Sequence, residues 1–219
     1  MRMDQGTPVV ATITKAILLY TSGMDRFQNT RQPDWDWWGK LWPTPGETLR
    51  HLGLSTGDTL VEIGSGNGYF ALPAARIVDP ATVYALDVDS SLLEELEHLA
   101  SQQKLDNVSP VHGDARSLAD HLINPVDVGL IANTFHGIEN PATFVEEIVA
   151  VLTEDGRFIV VNWRDLPRET TTVAGEPRGP PTDLRLSPAE SREIVEAAAD
   201  VTLAQQIDIL PYHYALLFE

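Results

Sequence analysis

The densest chemistry in this sequence lies in Glu62-Ile63-Gly64-Ser65-Gly66-Asn67-Gly68. Three alternating glycines permit positive φ and leave no Cβ in a ligand's path. A helix that follows them aims its free N–H groups and the positive end of its dipole at whatever small anionic group they admit. The spacing Gly64-x-Gly66-x-Gly68 is neither the G-x-G-x-x-G of a dinucleotide turn nor the G-x-x-x-x-G-K-[ST] of a phosphate loop. Further on, Asp87-Val88-Asp89 ends the next apolar run, Gly113-Asp114-Ala115 follows the third, and Asn133-Thr134-Phe135-His136 follows the fourth. Each places a polar or acidic group at the end of an apolar segment. His136 is the one histidine at such a position; His51, His98, His112, His121 and His213 are scattered without the spacing of metal ligands, so no metal is expected. His136 and Asn133 are the candidates for a catalytic or positioning role, the plainer reading of His136 being a loop histidine satisfied by backbone.

The elements that must position these groups alternate strand and helix. Thr59 to Ile63 reads as a buried strand, the glycine run as a turn, and Ala71 to Val78 as a helix. Thr82 to Leu86 is the second strand. Ser91 and Glu94 have the spacing of a capping box for the next helix, although Asp89 sits closer to the cap. Asn107 to Val111 is the third strand, with a short helix over 117–122. Val126 to Ala132 is the fourth, and Asn140-Pro141 opens a helix to Leu152. Glu154-Asp155-Gly156 turns into a fifth strand, Arg157 to Trp163. Residues 164–186 read as a long polar loop, Ser187-Pro188-Ala189-Glu190 as a capping box, and Val201–Ile209 with Tyr212–Phe218 as a closing antiparallel hairpin. Ahead of the first strand, a short amphipathic helix is expected around 8–21. Four of the five tryptophans then fall within 35–42, as a packing cluster or as an aromatic lid.

Composition narrows the function classes. The chain has 219 residues and no cysteine, which removes disulfides, thiolate metal sites and cysteine nucleophiles. No apolar run approaches the ~20 residues of a membrane span and no signal peptide is visible, so a cytoplasmic protein without a membrane partner is expected. Thirty-two acids against 15 bases give a formal charge of −17, which repels phosphate backbones and argues against a nucleic-acid partner. Only Lys15, Lys40 and Lys104 are lysines, against twelve arginines. An acid-rich, lysine-poor surface of this kind suits a halophilic habitat, where salt screens self-repulsion.

With Glu62 two residues ahead of Gly64, the first turn resembles motif I of the class I S-adenosylmethionine (SAM)-dependent methyltransferases. Asp87 ending the second strand, Gly113-Asp114-Ala115 and the closing hairpin follow in that family's order. The likeness is greatest to the small UbiE-like, type 11 branch. It implies an α/β, Rossmann-like, seven-stranded and mostly parallel sheet, order 3-2-1-4-5-7-6 with the last strand antiparallel and helices on both faces. The residues ahead of it read as an N-terminal helical and aromatic arm, 1–56, packed on a SAM-binding domain, 57–219. The resemblance further implies SAM as cofactor, S-adenosylhomocysteine as product, and a methyl transfer that runs mainly by alignment onto a small-molecule acceptor.

Carried onto this chain, Glu62 and the backbone of Gly64, Ser65, Gly66 and Gly68 face the methionine moiety, and Asp87 the ribose hydroxyls, through charge-assisted bonds of roughly 1.5–3 kcal/mol each. Val88 lies against the adenine, Asp114 and Ala115 at its edge, and Asn133 completes the cofactor set. Asp114 has the alternative of simply capping the short helix after it. Trp38, His136, Arg185 and Tyr212 are the candidates for lining the acceptor pocket. The missing cysteine removes the pyrimidine-C5 methylases, and Asn133-Thr134-Phe135-His136 is not the N-P-P-Y of the base amino-methylases. Two competing readings remain: a non-catalytic SAM-binding module, and a nicotinamide-dependent oxidoreductase, which the glycine spacing disfavours.

Overall fold

The structure, a computed structural model, describes residues 35–219; the helix expected over 8–21 lies outside them. Trp35–Leu41 forms α1 and Pro45–His51 forms α2. Strand β1, Leu60–Ile63, is buried at all four positions, as expected of a parallel strand covered on both faces. The chain then alternates through α3 (Ala71–Val78), β2 (Val83–Asp87), α4 (Ser90–Gln103), β3 (Val108–His112), β4 (Val126–Ala132), α5 (Pro141–Ala150) and β5 (Leu152–Trp163). A two-residue hairpin, β6 (Thr172–Val173) with β7 (Glu176–Pro177), precedes α6 (Pro188–Ala198), β8 (Leu203–Ile209) and β9 (His213–Phe218).

The main sheet has seven strands in the order β3-β2-β1-β4-β5-β9-β8. β9 runs antiparallel between β5 and β8. This is the expected topology: the two short hairpin strands lie outside the sheet, so β8 and β9 take the places of the sixth and seventh strands. Neighbouring residues feed opposite layers. Leu60 and Leu130 belong to the core beneath α2 and α3, whereas Val61 and Ile131 belong to the core under α5 and α6. The two layers hold the sheet rigid and leave its loops free for binding.

Three local expectations are corrected. Asp89, not a Ser91–Glu94 box, caps α4, its Oδ1 accepting from the N–H groups of Ser91 at 2.9 Å and Leu92 at 3.4 Å. A short polar side chain one residue outside the helix reaches both free donors, so the serine is not needed. β5 begins at Leu152 instead of Arg157, because Leu152 pairs with Val126 across a register irregularity. The segment 164–186 is built from a hairpin and two 3-10 turns, stapled by Arg185. The capping box at Ser187 and Glu190 is as expected.

Candidate functional site

β1, β2 and β4 are adjacent and parallel, so their C-terminal ends lie side by side. Loops at such an edge, where strand order reverses, are where ligands of open α/β sheets bind. At the end of β1 the three glycines all take positive φ, +70° at Gly64, +55° at Gly66 and +91° at Gly68. Gly68 has a second reason to be glycine: a Cβ there would lie 3.0 Å from Leu72 and 3.1 Å from Leu96, side chains of the two helices that follow. The N–H groups of Gly64 and Ser65 both donate to the carbonyl of Leu86, at 2.9 and 3.1 Å, fixing the turn to the end of β2.

Asp87 completes that link. Its Oδ2 accepts from the Gly66 N–H at 2.8 Å and its Oδ1 from the Asp89 N–H at 2.9 Å. Beside it Glu62 is buried, with Oε2 unpartnered. Burial first, and the charge of Asp87 second, push the Glu62 carboxyl well above the usual carboxylate range, against a hydrogen bond from the Ala71 backbone. Ser65 Oγ and Asn67 Oδ1 are also buried without a partner. Buried polar atoms are normally satisfied. Three oxygen orphans along one glycine turn, each able to accept, fit a ligand that brings its own donors, such as the ammonium of an amino acid. The residues present thus fit the donor that the resemblance implies. Val88, next to Asp87, is 57% exposed, an apolar surface open to a flat ring.

At the third strand end, Asp114 is half-buried and already engaged. Its carboxylate takes two 3.0 Å bonds from Arg116 Nε, and it caps the 3-10 helix Ala115–Asp120 through the Arg116 N–H at 2.9 Å. The Arg116 hydrogen bond holds its carboxyl below the ordinary range. The capping alternative is therefore realised, and a base at Asp114 and Ala115 would have to share the carboxylate with an exposed ion pair. Such pairs are weak.

The end of β4 forms the other wall. Asn133 sits in the left-handed region at φ +64°, its backbone N–H donating to the Val161 carbonyl at 2.8 Å. Both atoms of its side-chain amide are buried without a partner, as is Thr134 Oγ1. A Cβ on Gly64 would stand 3.3 Å from that Oγ1, so the β4 loop abuts the glycine turn. His136 follows, half-buried, with Nδ1 2.9 Å from Asn162 Oδ1 on β5. His213, at the start of β9 opposite Trp163, is 1% exposed, and its ring lies between Trp42 at 4.5 Å and Trp163 at 4.3 Å. Burial, then the guanidinium of Arg185, hold His213 well below the usual imidazole range.

The remaining acceptor-side candidates are drawn into packing. Trp38 is buried against Trp37, Trp42 and Tyr69, and Tyr69 donates to the Trp42 carbonyl at 2.6 Å. Arg185 donates to the carbonyls of Pro180 and Arg178 at 3.1 Å and to Thr171 Oγ1 at 2.9 Å. Tyr212 stacks on Trp163 and donates to the Thr172 carbonyl at 3.0 Å. The site thus brings together Glu62, the glycine turn, Asp87, Asn133 and His136, with Asp114 at its far end. It also adds three residues that were not anticipated: Thr134, Asn162 and His213. Asn162 carried a signal, a lone amide inside the apolar run Phe158–Trp163. His213 carried none until β9 paired with β5.

A profile of the methyltransferase-domain family matches residues 54–199. Among curated proteins, a probable cobalt-precorrin-6B C(15)-methyltransferase (decarboxylating) of Methanosarcina acetivorans is 30% identical over 117 residues, 52% of this chain and 60% of that protein. The ribosomal protein L11 methyltransferase of Bacillus cytotoxicus is 30% identical over 139 residues, 63% of this chain and 43% of that protein. The chain therefore spans 60% or less of the length of these relatives. Among solved structures, a SAM-dependent methyltransferase from Aquifex aeolicus superposes with a TM-score of 0.69 at 23% identity, covering 80% of this chain and 88% of that one. A type 11 methyltransferase fold from Sulfolobus solfataricus gives a TM-score of 0.62 at 23% identity, covering 80% of this chain and 91% of that one.

Proposed function

The chain belongs to the methyltransferase-domain family, whose members use SAM, and from that premise we propose that it transfers a methyl group to a small-molecule acceptor in the cytoplasm. The observation that carries this reading is the set of unpartnered, buried polar atoms along Glu62, Ser65 and Asn67, one strand away from the Asp87 carboxylate. Glu62 and the turn would hold the amino-acid end of the donor, Asp87 the ribose hydroxyls, and Val88 with Asp114 and Ala115 the base. When bound, SAM supplies a methyl group activated on a sulfonium. The protein's own part is alignment, where a fixed geometry can supply ~7–11 kcal/mol of the barrier. Asn133 and Thr134, which abut the glycine turn, are the groups placed to orient an acceptor next to that methyl.

The test is release of S-adenosylhomocysteine from SAM in the presence of a panel of phenols, carboxylic acids and amines, with the methylated product identified by mass. Transfer to at least one small acceptor is expected; donor binding without transfer would favour a non-catalytic module. A protein acceptor is the second reading. It is supported by the similarity to a ribosomal protein methyltransferase and by a −17 charge that attracts basic surfaces. Label transferred from SAM to protein fractions and to no metabolite would favour it.

A further inference from the structure

Resting on the methyltransferase reading, we propose that Asn162 locks His136 as a general base for an acidic hydroxyl, making this an O-methylating site for phenolic or enolic acceptors. The assignment begins with Asn162. The backbone N–H of Trp163 can only donate, and it lies 3.0 Å from Asn162 Oδ1, which fixes the amide with its oxygen in that position. The same oxygen is 2.9 Å from His136 Nδ1. An amide oxygen accepts, so Nδ1 carries the proton, and the neutral ring is left with its lone pair on Nε2. No hydrogen bond to Nε2 is found among the described residues.

Asn162 is itself held. It is fixed in the β5–β9 pairing directly opposite Tyr214, and its Nδ2 is buried without a hydrogen-bond partner among the described residues. Tyr214 is anchored in turn by Ser191 Oγ at 2.6 Å and the Leu186 carbonyl at 3.0 Å. Asn162 is fully buried, whereas His136 is half-buried on the β4 loop, next to Asn133 and Thr134. The pair Asn162–His136 thus runs from the core to the side where the acceptor must lie.

Charge selects the acceptor class. The groups that face His136 are neutral Asn162 on β5, the His213 ring on β9 and the Arg185 guanidinium ahead of α6. Arg185 is buried and hydrogen-bonds carbonyl and hydroxyl oxygens, not a carboxylate; of the charges that act on it, Arg168 and Glu169 oppose each other. A positive field at Nε2 repels an ammonium and stabilises a developing oxyanion. A neutral imidazole also matches a phenol, with a pKa near 10, far better than an alkanol. In the step, the hydroxyl proton passes to Nε2 and an oxygen lone pair forms the new C–O bond. The methyl–sulfur pair leaves on sulfur, giving the methyl ether, the neutral thioether and an imidazolium that returns its proton to water.

The test uses the full chain with ¹⁵N-labelled histidine. At pH 7.5 the His136 Nδ1 resonance should be that of a protonated ring nitrogen and Nε2 that of a bare one. Asn162→Leu should give a mixture of tautomers, and Asn162→Asp, nearly isosteric, should raise the His136 titration by about one unit or more. With SAM and catechol, S-adenosylhomocysteine release should rise with pH through the His136 titration. In Asn162→Leu, kcat should drop about tenfold or more with little change in KM for SAM. An Nε2–H tautomer in the wild type, a His136 titration untouched by both substitutions, or methylation of benzylamine but not of phenols would each overturn the proposal. Calorimetric titration with SAM alone reports separately on the methyltransferase reading, because His136 is not needed for donor binding.

Discussion

At the scale of single residues, the two buried acids of the site are used in opposite ways. Asp87 is satisfied by two backbone N–H groups, whereas Glu62 is left one bond short. Asp87→Ala should weaken SAM binding about 30- to 200-fold, the loss of roughly 2–3 kcal/mol expected for charge-assisted bonds, as read by calorimetry. Glu62→Gln should weaken binding too, yet stabilise the free protein. Because burial holds the folded carboxyl above its unfolded value near 4.3, the stability Glu62 contributes is fully present only below about pH 4 and is lost as pH rises through the folded value. Above that folded value the buried carboxylate is a cost, and its relief there should raise Tm by about 2–4 °C for each kcal/mol recovered. His213 has the opposite sign. Its folded value is depressed, so its contribution is complete above about pH 6.5 and is lost as pH falls below that, and His213→Phe should flatten the fall in Tm between pH 6.5 and 5. Of these residues, Glu62 and Asp87 were legible because each stands at a fixed step from a glycine turn. Asn162 showed only as an odd amide in an apolar run and His213 not at all, because their partners are 26 or more positions away along the chain or lie across the sheet.

At the scale of elements, strand–turn–helix units declare themselves locally, and all seven sheet strands were legible, the last two as a closing hairpin. Their ends were only partly so: Asp89 stood nearer the cap than the Ser91–Glu94 pair and takes it, but β5 gained five residues through pairing with β4. The segment 164–186 reads as a plain polar loop because nothing near in sequence shows that Arg185 will fold back beneath it. Its guanidinium gathers Thr171, Arg178 and Pro180, and lies 5.3 Å from the Trp163 ring centroid. Among the described residues, Arg185 is the one donor that reaches from the Pro180 carbonyl to both Thr171 and Arg178, so Arg185→Met should destabilise the protein by about 2–4 kcal/mol. It should also open new protease cleavage within 164–186; an unchanged digestion pattern would show the loop to be held by other contacts.

At the scale of the whole molecule, two apolar layers clamp a sheet whose loops at one edge carry the binding groups, and a surplus of acid covers the outside. If that surplus is an adaptation to salt, Tm should rise steadily from millimolar to molar KCl as the charges are screened, the screening length shrinking from about 30 Å at 0.01 M to 3 Å at 1 M. An unchanged Tm would remove the halophilic reading and leave the acidity as a property of partner choice. The charge was legible from composition alone, but its purpose is not written in any motif. What unites the molecule is the claim that Glu62, the glycine turn, Asp87 and Asp114 act on one nucleoside donor. Isothermal titration of the purified chain with SAM and with S-adenosylhomocysteine tests that claim most directly. One site per chain, with a dissociation constant of about tens of micromolar or tighter, is the result expected for both. No heat with either, at protein concentrations where such binding must register, would contradict it.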